Sequence, residues 1–566
     1  MPSKTFPDGC HGLFRSSLFR YSPLIGACLL AGLALALPAA AAKAQDEAET
    51  PWSVLLVTVD CLRPDHMSLY GYERDTTPRL AAFAEDAMVF TNVFATASWT
   101  SPGIASLLTG FYPPVHGQNG RYSFYDDEMA SPLRLFSAAR YDVFSTNIRG
   151  PSIAGLGFKR RMSGNPAKGL APLENFVQRR ADDPDPFFAW VHIKEPHLPY
   201  APTEKNDNRW IDTSRSSPGI DAVRNHGIIF RPEVDVPYRH PGKVEFTEED
   251  IPVIRALYDG TVADADDRLG RVFDTMRENG LLERTIVIIS ADHGEELFEH
   301  GWLGHSSTSY DGKLYDELIR IPLIIRLPDG ANAGRFDALA DGTDLMPTLL
   351  DVLGFDTGQL DPAMQGRSLL PVVEGEVEEV RDYVFSQTTI KGWTTPKDEM
   401  NQRVVAVRSR SQKLMVFPEI AGGRTEAYDL REDPGEQNDI YESRREEFAE
   451  LEQVLEDWFE ENRRISADLV LGAAGRQTDN LALALQEADL LAATRAFEAI
   501  QVMQHTWSMA VDPFFETAPY KARWAEARRG AARLMAIALD CEARGGRLLP
   551  DTNSGSSDTT AWACEE

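Results

Sequence analysis

Two acidic residues and a histidine set the chemistry that this sequence can do. Asp60 closes the run "WSVLLVTVD", and the pair Asp292-His293 closes "TIVIISADH". Two carboxylates and an imidazole make a metal-ligand set. Its oxygen and nitrogen donors suit Zn²⁺ or Mn²⁺ at least as well as Ca²⁺ or Mg²⁺. A cation held there would lower the pKa of a neighbouring hydroxyl and polarise a substrate oxygen. Thr100, in "SWTSPGIASLLTG", then offers a nucleophile, or else it only caps the helix that begins beside it. His197 in "HIKEPHLPY" and His305 in "ADHGEELFEHGWLGHS" are placed to contact ester oxygens or to protonate a leaving group. Taken singly, each piece has a plainer reading: an aspartate at a strand end turns the chain, and a threonine before Ser-Pro caps a helix. All of them in one chain, in this order, argue for a site.

Such residues have to be brought together by the elements that carry them. Trp52–Val59, Phe187–Ile193, Thr285–Ser290 and Ile321–Ile325 are apolar throughout rather than alternating, the pattern of parallel strands covered on both faces. Helical patterns separate them, notably Ile254–Asn279 with Gly280 as its stop. Strands alternating with helices predict an α/β fold around a large, mostly parallel sheet, with ligands beyond the carboxyl ends of the strands. Asp60, His192 and Asp292-His293 all fall at such ends, which adds His192 to the candidate substrate contacts. From about Asp382 the strands shorten and read as partly exposed, predicting a smaller sheet over 381–460 beside a main domain of 52–380. The Ala/Leu/Glu/Arg-rich stretch 465–548 predicts a helical extension, and 549–566 a flexible tail.

The chain has 566 residues, enough for a large core, and a formal charge of −30, which argues against nucleic acid as a partner and leaves a small anionic substrate open. Lys4, Arg15 and Arg20 precede the apolar run Leu24–Leu37, and Ala42-Lys43-Ala44 offers a cleavage site. Residues 1–44 therefore read as a secretory signal peptide, with an uncleaved anchor as the alternative, and predict a periplasmic or secreted protein without a membrane span once cleaved. Cys61, Cys541 and Cys564 remain beyond that point; the last two can pair in an oxidising compartment.

"VDCLRPDHMSLYGY", "TSPGIASLLTG", "PHLPY" and "ADHGEELFEHGWLGHS", followed by "LYDELIRIPLIIR", "DLMPTLLDVLG", "QGRSLLP" and "AYDLREDPGEQND", resemble in order the landmarks of the sulfatase family, within the alkaline phosphatase superfamily. The resemblance covers about Trp52 to Glu460. It implies a large α/β domain, a smaller C-terminal sheet, and one divalent metal ion beside a nucleophile at the head of a helix. It also implies ester hydrolysis, with Asn147 and Lys313 added to the candidate substrate contacts.

The departures from the family pattern bear on the reaction. The family's formylglycine-forming Cys or Ser in C-x-P-S-R is matched by Thr100, and its Arg by Ile104. Threonine carries a methyl group where the oxidation to the aldehyde must act. A formylglycine hydrate expels sulfate by breaking its own C–O bond, whereas a sulfated threonine has no such exit; a phosphorylated threonine can be hydrolysed at phosphorus. Phosphate or phosphonate esters are therefore favoured over sulfate esters. The Lys-x-His motif is missing, with Asn147 in "STNIRGPS" near its expected place, and His305 falls where related phosphonate hydrolases carry lysine. The family's Asp-Asp pair is Asp60-Cys61 here, and Cys61 is either a thiolate ligand of a zinc-like ion or a small buried residue. Three readings follow: a phosphorus-ester hydrolase using Thr100, a sulfatase without formylglycine, and a catalytically silent binding protein.

Overall fold

The computed structural model describes the chain from Pro51 onward, apart from 119–130, 146–155, 162–170, 227–243, 306–311, 360–363, 391–401, 419–422, 487–492, 498–517, 551–561 and a few single positions. The expected signal peptide and Asn147 lie outside the described residues.

Residues Thr50–Glu566 form one compact unit. Its centre is a nine-stranded sheet built from Ser53–Val59 (β1), Met88–Phe94 (β2), Asp142–Ser145 (β3), Arg160–Arg161 (β4), Phe187–Ile193 (β5), Thr285–Ala291 (β6), Arg320–Arg326 (β9), Gly334–Phe336 (β10) and Ala340–Asp341 (β11). A short ribbon, Glu296–Leu297 (β7) with Leu303–Gly304 (β8), lies between β6 and β9 in sequence. The strand order is β10-β2-β9-β6-β1-β5-β3-β4, with β11 also on β2, and only β9 runs antiparallel to its neighbours. The four strands expected from apolar runs are all present. Every residue of β1 and β6 is buried, which is why neither strand alternates in sequence.

The register of the central strands places the chemistry. Val59 stands opposite both Ala291 of β6 and Ile193 of β5, so Asp60 and Asp292 leave the sheet side by side. The predicted long helix runs Ile251–Glu278 and buries Leu257, Tyr258, Leu269 and Met276 against the sheet layer. Gly280 ends it at φ +64°, while the Leu281 amide bonds back to the Met276 carbonyl at 2.8 Å, a left-handed stop that suits glycine.

The smaller sheet is Val384–Thr389 (β12), Arg403–Arg408 (β13), Gln412–Val416 (β14) and Thr425–Asp429 (β15), antiparallel throughout. Its strands read as partly exposed in sequence, yet both faces are covered. Val404, Ala406 and Met415 pack on Phe94, Leu318 and Ile319 of the main domain. Val405, Val407 and Leu414 pack on Phe448, Leu455 and Trp458. The last two belong to a single 38-residue helix, Ala449–Gln486, so the boundary expected between 460 and 465 falls inside a continuous element. That helix also meets Ala518–Ala543, which confirms the helical composition of the extension. The segment expected to be a flexible tail supplies Trp562–Glu565 (β17), paired with Arg547–Pro550 (β16). Cys541, nearby in sequence, is disulfide-bonded, whereas Cys61 is free. Among the described residues, no helix is long and apolar enough to cross a membrane.

Ions lock the two sheets together. Lys413 of β14 is fully buried, with its ammonium 2.9 Å from Asp316 and 2.6 Å from Glu436. Asp316 belongs to the "LYDELIRIPLIIR" segment and Glu436 to "AYDLREDPGEQND", so two sequence landmarks turn out to be halves of one joint. Removing the cation would strand the buried Glu436 carboxylate and leave Asp316 with Arg408 at 3.1 Å. Lys413→Ala and the shape-preserving Lys413→Met are both expected to cost about 3–5 kcal/mol, read from the denaturant midpoint. A cost from Ala but not from Met would assign the effect to lost packing instead of lost charge.

Candidate active site

Asp60 follows β1, and its amide donates to the Ile193 carbonyl at 2.9 Å, which pins the carboxylate at the end of the central strands. Asp292 and His293 follow β6. Asp292 is fully buried, and its Oδ1 accepts from the amides of Cys61 at 3.2 Å and His293 at 3.0 Å. Its Oδ2 accepts no hydrogen bond. His293 donates Nδ1–H to the Gly294 carbonyl at 2.7 Å, which turns the Nε2 lone pair inward. That Nε2 lies 3.5 Å from Asp292 Oδ2 and 3.7 Å from Asp60 Oδ1. Two carboxylates and an imidazole nitrogen therefore converge in a buried space, an arrangement that suits a cation. The residues fit a divalent ion.

Thr100 is the first residue of the helix Thr100–Thr109, and Trp99 takes the cap position ahead of it. The capping alternative for Thr100 is therefore not what the structure shows: its Oγ1 faces His293 Nε2 at 3.5 Å. Gly103 makes this approach possible. A Cβ there would stand 2.3 Å from the Asp292 carbonyl oxygen, so the helix start rests directly on the Asp292 turn. Ile104 is fully buried within the main core, so the position matched to the family's arginine faces the core and carries no charge.

Three further histidines surround the acceptors. His192 holds Asp60 Oδ2 at 3.5 Å, with its other nitrogen 2.8 Å from Thr58 Oγ1, which accepts from the Trp190 indole at 3.0 Å. Burial alone would raise the Asp60 carboxyl, but His197, His192 and His293 outweigh it and hold it well below the usual carboxylate range. The rings of His197 and His305 lie 5.1 Å apart, and those of His293 and His305 4.9 Å apart. His197 Nδ1 donates to the Leu198 carbonyl at 2.6 Å, and burial together with the charge of His305 lowers its pKa. His305 behaves oppositely: burial opposes its charge, but Glu295, 3.0 Å from its Nδ1, pushes the pKa up to about 9. One imidazole is thus biased neutral and its neighbour cationic.

Glu295 and Tyr200 went unassigned in sequence although both stand inside quoted motifs. Tyr200 donates to Glu295 Oε1 at 2.7 Å, and the other carboxylate oxygen takes His305. The signal was there in the second residue after Asp292-His293, a glutamate among buried strand-end residues. Cys61 lies with its Sγ 3.2 Å from Asp60 Oδ1. Burial and the charges of Asp60, Glu295 and Asp292 raise its thiol. The Lys313 ammonium meets Glu426 of β15 at 3.1 Å and lies over the Phe417 ring at 4.9 Å.

Two variants probe this arrangement. Because His305 gains its partner on folding, the pair stabilises the metal-free chain fully below pH 6.5, and that contribution is lost as pH rises through about 9. Glu295→Gln is expected to return His305 toward 6.5 in an NMR titration of the histidine rings; an unchanged value would discount the pair. Gly103→Ala should cost about 1–3 kcal/mol by forcing the helix off the Asp292 turn. A melting temperature equal to that of the parent chain would show that the contact is slack.

A family model described as Sulfatase matches residues 53–355, and one described as N-sulphoglucosamine sulphohydrolase, C-terminal, matches 299–464. An N-acetylglucosamine-6-O-sulfatase of Bacteroides thetaiotaomicron is 23% identical over 82% of this chain and 96% of its own length. The multifunctional alkaline phosphatase superfamily protein PehA of Trinickia caryophylli is 38% identical over 24% of this chain and 25% of its own. The phosphonate monoester hydrolase of Agrobacterium radiobacter superposes with a TM-score of 0.59 at 23% identity, covering 73% of this chain and 96% of that one.

Proposed function

The chain belongs to the sulfatase family of ester hydrolases, and from that premise we propose that it is a divalent-metal-dependent hydrolase of phosphate or phosphonate esters, with Thr100 as its nucleophile. The observation that carries the reading is the convergence of Asp60 Oδ1, Asp292 Oδ2 and His293 Nε2, with the Thr100 hydroxyl 3.5 Å from the last. Asp60, Asp292 and His293 hold the metal ion. Bound there, a divalent ion such as Zn²⁺ or Mn²⁺ supplies the charge that favours an ionised hydroxyl and polarises the ester oxygen.

The rest of the chemistry belongs to the chain. Thr100 Oγ1 attacks phosphorus from the head of its helix, and the bond to the leaving oxygen breaks. His305, biased toward its cation, faces the ester oxygens and supplies the proton to the leaving group; His197, biased neutral beside it, accepts a proton from the water that follows. That water attacks phosphorus and releases Thr100 Oγ1. Sulfur chemistry is disfavoured because the water would have to break a sulfate ester of threonine, for which the side chain offers no C–O exit. His192 positions Asp60. Ile104 supports the competing reading of a silent binding protein, since the core has taken the position where the family carries its arginine. The basic and apolar leader of residues 1–44 supports export to the periplasm or beyond.

The test compares the chain with Thr100→Ala, each supplied with Zn²⁺, Mn²⁺ or Ca²⁺, on aryl phosphate monoester, phosphate diester, phosphonate and sulfate esters. Phosphorus-ester turnover is expected in the parent and should fall by roughly a thousandfold or more in the variant. Sulfate turnover that depends on Thr100 would overturn the choice of substrate. Bound metal with no turnover of any ester would favour the binding protein.

A further inference from the structure

We infer that His300 is a positioning residue: clamped between Glu317 and Glu436, it sets the ribbon that carries His305 and so aims the proton that goes to the leaving group. The inference rests on the hydrolase reading above and deepens it.

The short ribbon pairs Glu296 of β7 with Gly304 of β8, and Leu297 with Leu303. One step further along that register, at the open end, stand Glu295 and His305, joined at 3.0 Å. At the closed end the Phe298 amide donates to the Trp302 carbonyl at 2.8 Å, which leaves His300 at the apex. That apex is gripped by segments of both sheets. His300 Nδ1 donates to Glu317 Oε1 at 2.6 Å, and Nε2 donates to the Glu436 carbonyl at 3.0 Å. The ring lies flat on Tyr315, with centroids 3.7 Å apart and planes 11° from parallel. Glu317 holds the open end as well, because its carbonyl accepts from the Glu295 amide at 2.9 Å. One residue thus takes the partner of His305 through its backbone and the apex through its side chain. Residues on both sides of the grip are strained: Phe298 stands at φ +74° and Glu436 at φ +53°, a region that side chains of this size rarely enter.

The grip is specific to a charged ring. A neutral imidazole has one donor, so filling both bonds makes His300 a cation. Burial opposes that charge, but the Glu317 carboxylate, with the Glu436 carbonyl and carboxylate, raises the pKa. Behind Glu436 stand Lys413 and Asp316. On the ribbon itself, Glu299 pairs with Arg63 at 2.8 Å and with Arg255 at 3.8 Å. Gln437 supplies the alternative state. Its amide nitrogen donates to the Gly435 carbonyl at 2.8 Å and lies 3.1 Å from His300 Nε2. A neutral ring would accept from Gln437, and the Glu436 carbonyl would lose this donor. Other fastenings keep the ribbon in being without His300: Arg63 donates to the Glu295 carbonyl at 2.8 Å, and Arg255 to the Leu297 carbonyl at 2.9 Å. What His300 adds is the setting of the apex, and through the ladder the setting of His305.

The test compares the full chain with His300→Gln, which keeps a donor and removes the charge. In the parent, nitrogen NMR of the histidine-labelled chain at neutral pH is expected to show a proton on both ring nitrogens of His300. Amide exchange across 294–305 should rise at least about tenfold in the variant, the equivalent of one charge-assisted hydrogen bond. With Zn²⁺ or Mn²⁺ supplied, turnover of a phenyl phosphorus ester should fall about ten- to a hundredfold, because its leaving oxygen needs the proton. A dinitrophenyl ester, whose oxygen leaves as a stable anion, should lose less than about threefold. Equal losses on the two esters would make His300 structural support only and overturn the inference. A single ring proton on His300, or unchanged amide exchange, would overturn the clamp itself. No turnover of either ester by the parent would overturn the hydrolase reading instead, and the nitrogen spectrum and the exchange would still decide the clamp. Should His300→Gln fail to fold, Glu317→Gln, which removes the opposite charge, carries the same comparison.

Discussion

Three lone-pair-bearing atoms, from Asp60, Asp292 and His293, are pressed together at the carboxyl ends of two adjacent strands and kept from water. Their mutual repulsion in a low-dielectric space is the constraint that the surrounding structure must meet. The sheet register sets the two carboxylates level, and the Gly294 carbonyl fixes the ring that faces them. The imidazoles of His192 and His197 face Asp60, so the site's negative charge is shared out before any ligand arrives. A helix begins within reach, and the only residue that lets it come so near is one without a side chain. Little of this could be rearranged piecemeal, because each acceptor's partner is backbone or buried ring rather than a mobile surface group.

Much of that frame was legible in the sequence. Strands apolar on both faces announce themselves as unbroken runs, and residues that follow them must sit at the sheet's edge, which is how Asp60, Asp292-His293 and His192 could be named. What could not be read was which neighbours complete each group's hydrogen bonding. Glu295 and Tyr200 lie far apart in sequence and meet only through folding. The small sheet read as half-exposed because its strands carry polar residues such as Ser386, Gln387 and Lys413 that turn out to be buried; burial on the second face depends on a helix that begins beyond β15. Lys313 has the charge of an anion contact, and its pairing with Glu426 of β15 could not be read from either segment alone. Long-range pairing, in each case, overrode local pattern.

Thr100 concentrates the contrast between inherited scaffold and altered chemistry. The frame that carries it is that of the family that matches residues 53–355, with the helix start resting on the Asp292 turn. The positions that depart from the family pattern, Thr100, Ile104, Cys61 and His305, are not scattered. Thr100, Cys61 and His305 line the acceptor cluster, and Ile104 lies one turn in from Thr100 on the same helix.

The helix Ala449–Gln486 carries a consequence for how this protein can be divided. The family match at the C-terminal side stops at 464, in the middle of that helix. Upstream of that point, Trp458 stacks on Phe385 of β12 at 5.0 Å; downstream of it, Ser466 bonds to the Pro114 carbonyl at 2.8 Å, a few residues past the Thr100 helix. One rigid rod thus reaches from the back of the small sheet to the loop after the Thr100 helix. Cutting or grafting at the family boundary would leave a frayed half-turn where a buttress stood. What resembles an appendix in sequence is, mechanically, part of the wall.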